Sequence, residues 1–211
     1  MTAARRPATV VLVHGYLANR FMLSPLAARL RGRGFEARKW GYWNIRCSLL
    51  VHAERFARWL MERDAEAGVH TLHLVTHSMG GIVARAALDR YRPDKLGRIV
   101  MLAPPNRGSF VATRAAPTFG RVLEPVRELS TAADSLVNSL PTPRDVDIGV
   151  IAAEWDALVT EESTRPHVPH AHTTVPTFHT GLLFRRDAAD LIASFLDSGR
   201  FSPSEATAAS P

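Results

Sequence analysis

The chain has 211 residues, 46% apolar and 22% charged, a length and composition that fit one globular core and exclude a disordered or fibrous chain. Its formal charge is +6, but the basic residues are scattered arginines with only Lys39 and Lys95 as lysines, so no nucleic-acid partner is expected. One cysteine, Cys47, allows no intramolecular disulfide; no segment reaches transmembrane length and Arg5-Arg6 before the short run Val10–Val13 makes no signal peptide, so a cytoplasmic protein with no integral membrane span is expected.

Thr9–His14 reads as a strand buried on both faces, and Ser24-Pro25 opens a helix to Arg31, with Ser24 as cap and Gly32 and Gly34 as its end. Phe35–Trp40 is a second strand, and Ser48–Ala67 carries apolar residues at helical spacing up to Gly68. Val69–Thr76 is a third strand that runs without a gap into a helix over Met79–Arg90, stopped by Pro93. Arg98–Ala103, Asp147–Ala153 and Thr173–Phe178 follow as strands, and Asp187–Leu196 as the last helix.

Strands alternating with helices predict a three-layer α/β/α sandwich with a mostly parallel sheet, a single domain over 1–198 and a disordered tail over 199–211. Between the fourth and fifth strands, Val122, Leu123, Val126, Leu129, Ala133, Leu136, Val137 and Leu140 keep helical spacing. They read equally as a lid element or as a core-facing helix.

A serine hydroxyl needs a base, a group to orient that base, and donors for the oxyanion. Ser78 lies in Val75-Thr76-His77-Ser78-Met79-Gly80-Gly81, between strand and helix, as in a nucleophile elbow. The usual pattern G-x-S-x-G has glycine where this chain has Thr76, a bulkier residue that predicts strain or a shifted helix. A serine that only caps the helix is the competing reading of this motif.

A second motif decides for the elbow: the first strand ends in His14-Gly15-Tyr16. Pro104-Pro105-Asn106-Arg107-Gly108-Ser109 follows the fourth strand, Glu154-Trp155-Asp156-Ala157-Leu158-Val159 the fifth, and His179-Thr180-Gly181-Leu182 the last.

Together these motifs resemble small bacterial lipases and esterases of the α/β-hydrolase superfamily, including relatives of the GPI inositol-deacylase group, over roughly residues 9–196. The resemblance implies Ser78 as nucleophile, His179 as general base and Asp156 as the acid that orients it, in the chain order usual for that superfamily. It implies the backbone N–H groups of Tyr16 and Met79 as the oxyanion hole and hydrolysis of a small-molecule or lipid ester without cofactor or metal. Glu154 competes with Asp156, and His172 is the reserve for His179. His14 is read as a structural hydrogen-bonding residue and His77 as packing under the elbow.

Amidase, thioesterase and acyltransferase chemistry use the same triad, and a catalytically silent binding protein is the reading from another class. His167, His170 and His172 match no specific zinc spacing and read as a surface loop. Trp40, Tyr42, Trp43 and Trp155 read as core or rim aromatics. The connection from Pro104 to Asp145 is too short for a large cap, which predicts a shallow pocket for small or accessible esters.

Overall fold

The structure is a computed structural model that describes residues 7–43, 47–119 and 124–202, the side chains of 115–119 excepted. Six strands, β1 (Thr9–Val13), β2 (Glu36–Trp40), β3 (Leu72–His77), β4 (Leu96–Leu102), β5 (Ile148–Ala153) and β6 (Ala171–Val175), form one sheet in the order β2-β1-β3-β4-β5-β6. Every neighbouring pair is parallel. The loops after all six strands therefore open at one edge, where open α/β sheets place their sites.

Alternating side chains of a strand face opposite sides, and each side here is covered by its own helices. Val11, Val13, Leu72, Leu74, Ile99 and Met101 pack against α2 (Leu49–Asp64) and α3 (Met79–Arg90). Val10, Leu12, Val75, Val100 and Leu102 pack against α1 (Ser24–Arg31) and α8 (Arg186–Ser198). The predicted three-layer sandwich is what forms, because apolar runs without alternation are stable only when both faces of the sheet are covered.

Several boundaries differ from the sequence reading. Ser24 is no cap: a 3-10 turn over Arg20–Leu23, capped by Asn19, runs straight into α1, and the Ser24 hydroxyl accepts a bond from Lys39 Nζ at 2.8 Å. The last strand is β6 at Ala171–Val175, because Pro176 has no N–H to continue the ladder. β6 is also a half-exposed edge strand, so no apolar alternation pins its register. The C-terminal segment is not free of the body at its start, since the Phe201 ring packs on Phe195 at 4.9 Å; positions 203–211 lie outside the described residues.

The connection from β4 to β5 forms three short helices, α4 (Phe110–Phe119), α5 (Glu124–Glu128) and α6 (Leu136–Ser139), with α7 (Glu161–Thr164) following β5. The single helix suggested by the spacing breaks at Ser130–Asp134, and Val122 and Leu123 lie outside the described residues. Two polar anchors tie this connection to the body. Buried Arg85 on α3 donates to the carbonyls of Asn106, Val137, Leu140 and Pro141. Glu128 accepts from Leu49 N–H at 2.8 Å and from the Ser48 hydroxyl at 2.5 Å, closing the N-terminus of α2. Both anchors were missed in the sequence, because their partners lie tens of residues away.

Candidate active site

Ser78 stands between β3 and α3 with φ 53° and ψ −128°, a left-handed conformation that a non-glycine residue adopts only when its surroundings impose it. Its N–H donates to Leu102 O at 2.8 Å and its carbonyl accepts from Gly81 N–H at 2.9 Å, so both peptide groups of the turn are held. The hydroxyl makes no capping bond to α3, against the helix-cap reading of this serine.

Such a turn needs strand, helix and the neighbouring loop to nearly touch. A methyl group at Gly80 would stand 2.6 Å from His14 O and 2.8 Å from Val13 O, and one at Gly15 would stand 2.8 Å from Ser78 Cβ. Thr76 is accommodated by Gly81: a Cβ there would come within 3.2 Å of the threonine hydroxyl oxygen. β3 keeps regular pairing through Thr76, opposite Val13 and Met101, and α3 begins at Met79 as the sequence predicts. The threonine's bulk is thus absorbed by a missing side chain one helical step on.

The residues predicted as acid and base meet. His179 Nδ1 lies 2.6 Å from Asp156 Oδ2, with the carboxylate almost fully buried and the imidazole nearly so. The two loops are joined beyond the strands by Glu154 N–H to Val175 O and Trp155 N–H to Thr177 O. The other carboxylate oxygen, Oδ1, accepts from the N–H groups of Leu158 and Val159 at 2.8 and 3.0 Å. Burial pushes the Asp156 carboxyl up, but the bond and charge of His179 and the two backbone donors outweigh it and hold the group below the usual carboxylate range. A carboxylate only accepts, so His179 carries its proton on Nδ1 and turns Nε2 into an acceptor in the neutral ring.

His77 links this pair to the elbow. Its Nε2 donates to the carbonyl of His179 at 3.2 Å, and the two rings lie 4.9 Å apart. Burial, then the neighbouring His179 charge, push its pKa down to about 3, so it stays neutral as a spacer under Ser78. Glu154 is exposed at the end of β5, and His172 sits among Thr164 and Arg165 on β6, so neither alternative takes part.

His14 is fully buried, its ring stacked on Tyr42 at 4.4 Å. Its Nδ1 donates to Gly15 O at 3.0 Å, its Nε2 accepts from Tyr42 N–H at 3.2 Å, and the Tyr42 hydroxyl donates to His14 O at 2.8 Å. A trans peptide points its C=O and N–H in opposite directions, so fixing the Gly15 carbonyl holds the Tyr16 N–H facing away from the His14 ring. Met79 lies in the first turn of α3, whose leading N–H groups have no partner within the helix.

Of the predicted aromatics, Trp40 is core, packed on Phe56 and Tyr42, while Trp43 and Trp155 are exposed. Among the described residues no group of three or more His, Cys, Asp or Glu side chains is placed to hold a metal. A cleft of about 1030 Å³ opens at the opposite, amino-terminal edge of the sheet beside Phe35, His73 and Asp147; Ser78, Asp156 and His179 do not line it.

The family model described as the alpha/beta hydrolase family matches residues 10–207. The chain belongs to the alpha/beta hydrolase family. Among solved structures it is similar to the mature form of Bacillus licheniformis lipase BlEst2, with TM-score 0.72 and 18% identity over 93% of each chain. It is similar also to Aspergillus fumigatus lipase B, with TM-score 0.71 and 16% identity over 94% of this chain and 55% of that one. At such identities the likeness is one of fold. A Mycoplasma pneumoniae protein whose name places it among the esterases/lipases is 28% identical over 109 residues, 48% of this chain and 39% of that protein's length.

Proposed function

We propose that this member of the alpha/beta hydrolase family cleaves carboxylic esters through an acyl-enzyme on Ser78. The observation that carries the reading is the buried Asp156–His179 pair, bonded at 2.6 Å and held through His77 against the strained turn of Ser78. The lipases and esterases among its relatives agree with it.

In this mechanism His179 Nε2 takes the Ser78 proton as Oγ attacks the ester carbonyl carbon. Asp156 keeps the imidazole in the Nδ1–H tautomer and stabilises the imidazolium that forms. The N–H groups of Tyr16 and Met79 bind the oxyanion, the latter at the positive end of α3; loss of one such donor costs ~10²–10³ in rate. His14 acts as a positioning residue, since it holds the peptide that carries the Tyr16 N–H. The imidazolium then protonates the departing alcohol, a water deprotonated by His179 attacks the acyl carbon, and His179 returns that proton to Ser78 Oγ as the carbon–Oγ bond breaks and the carboxylic acid leaves.

The test is labelling with a fluorophosphonate probe beside Ser78→Ala and His179→Ala, followed by a panel of p-nitrophenyl esters, amides and thioesters. Labelling of the unmodified protein alone, with turnover of short esters, is expected. A folded protein that takes no label would remove the enzyme reading, label that persists in Ser78→Ala would move the nucleophile, and faster turnover of amides or thioesters would reassign the substrate.

A further inference from the structure

Large apolar side chains exposed to solvent gather around the candidate nucleophile. Leu17 and Phe21 follow β1, Trp43 follows β2, Phe110 opens α4 after β4, Trp155 follows β5 and Phe178 follows β6; these six are between 53% and 74% exposed. Because the sheet is wholly parallel, all of them stand at the edge where β3 delivers Ser78. Trp155 and Phe178 touch, with ring centroids 5.5 Å apart. Elsewhere on the described surface such exposure is sparse, as at Met61 on the far turn of α2. Apolar side chains exposed singly need no explanation, whereas a set that rims a site marks an interaction surface.

The chemistry of the rim narrows its partner. The Arg20 guanidinium lies 5.4 Å and the Lys39 ammonium 5.8 Å from the Phe21 ring centroid, and the Arg114 guanidinium lies 5.6 Å from that of Phe110. Cations on long stems beside aromatic rings suit a boundary where the rings enter hydrocarbon and the charges stay with anionic headgroups. Glu161 and Glu162, on the same side, are paired with Arg165 and Arg107, while Glu154 is exposed. The formal charge of +6 adds attraction at longer range.

We propose that this rim docks on an anionic lipid surface and that the ester reaching Ser78 is one presented by that surface. The proposal rests on the ester-hydrolase reading for its second half only. Insertion of Phe21, Trp43 and Phe178 brings the plane of the headgroups to the carboxyl edge of the sheet, so a lipid ester needs no enclosed acyl tunnel to reach the elbow. The cations and the aromatic rings are both required, and each is separable by substitution.

The full chain is to be co-sedimented with vesicles of phosphatidylcholine alone and of phosphatidylcholine mixed equally with phosphatidylglycerol, at low and high salt, with tryptophan emission read in parallel. Ser78→Ala serves as the non-hydrolysing form. Binding to the anionic vesicles with a blue shift, weakened by salt and absent from the neutral vesicles, is expected for both. Phe21→Ser/Trp43→Ser and Arg20→Gln/Lys39→Gln should each lower the bound fraction about tenfold, and Met61→Ser should not.

No binding to anionic vesicles by a protein that hydrolyses soluble p-nitrophenyl butyrate would overturn the docking surface and leave the hydrolase standing. Equal binding to both vesicles would overturn the anionic assignment, and equal loss in Met61→Ser would overturn the rim. Binding by a protein that takes no fluorophosphonate label would sink the ester-hydrolase half instead.

Discussion

At Gly80 the absence of a side chain is itself part of the site. Its Cα stands so close to the carbonyls of Val13 and His14 that a methyl group would meet both at under 3 Å, and both contacts are backbone that cannot rotate away. Gly80→Ala must push α3 from β1, and with it the Met79 N–H from the Tyr16 N–H. Ester turnover is expected to fall at least ~10²-fold, the scale of a lost oxyanion donor, in a protein whose far-ultraviolet circular dichroism still reads as folded. Turnover within a few-fold of the parent would show that the two proposed donors do not depend on this approach. The candidate residues Ser78, Asp156 and His179 were legible in the sequence because each lies within a few residues of a strand end, and local motifs carry that information. Thr76 was legible only as a departure; Gly81, which accommodates it, belongs to the next turn of helix and becomes its neighbour only once the strand and helix are folded together.

At the scale of elements, the connection between β4 and β5 shows where periodicity runs out. Apolar spacing over 122–140 suggested one helix, but helices shorter than a few turns draw their stability from what they dock on rather than from their own spacing. Here α5 and α6 dock through Arg85 and Glu128. Arg85 sits among the buried apolar residues Ile82, Val83, Ala84, Ala86 and Ala87 of α3, and burial lowers its pKa to about 10, so four carbonyls hold a guanidinium that remains charged at neutral pH. Arg85→Met is expected to cost about 3 kcal/mol, because it strands buried carbonyl groups. Hydrogen exchange should report it as faster amides in 124–141 with α8 unchanged. Uniform acceleration across the chain would mean that Arg85 supports the whole body and not this connection.

For the whole molecule, buried histidines set the response to acid. His14, His52, His77 and His172 all lie below the ordinary value of about 6.5, in each case first through burial, with His52 at about 4 and His77 at about 3. Between these values and 6.5 the unfolded chain binds protons that the folded one refuses, so stability falls as pH drops through that window. Glu128, raised by burial, works the other way, but one carboxyl stands against four imidazoles. Asp156 reinforces the loss at lower pH, as its depressed carboxyl is finally protonated. Thermal unfolding should therefore shift down by about 5 °C or more from pH 7 to pH 5, and a flat profile would show that these rings are hydrated in solution. The sequence by itself determined the layered parallel fold and put forward Ser78, Asp156 and His179 as a candidate triad with Glu154 and His172 as rivals, since strand–helix alternation and motifs after strand ends are local signals. Only the tertiary structure decided that Asp156 and not Glu154 meets His179, that the connection after β4 is pinned by Arg85 and Glu128, and that exposed aromatics far apart in the chain share one edge. Each of these depends on which residues a parallel sheet brings side by side, a relation between distant segments that no window along the chain contains.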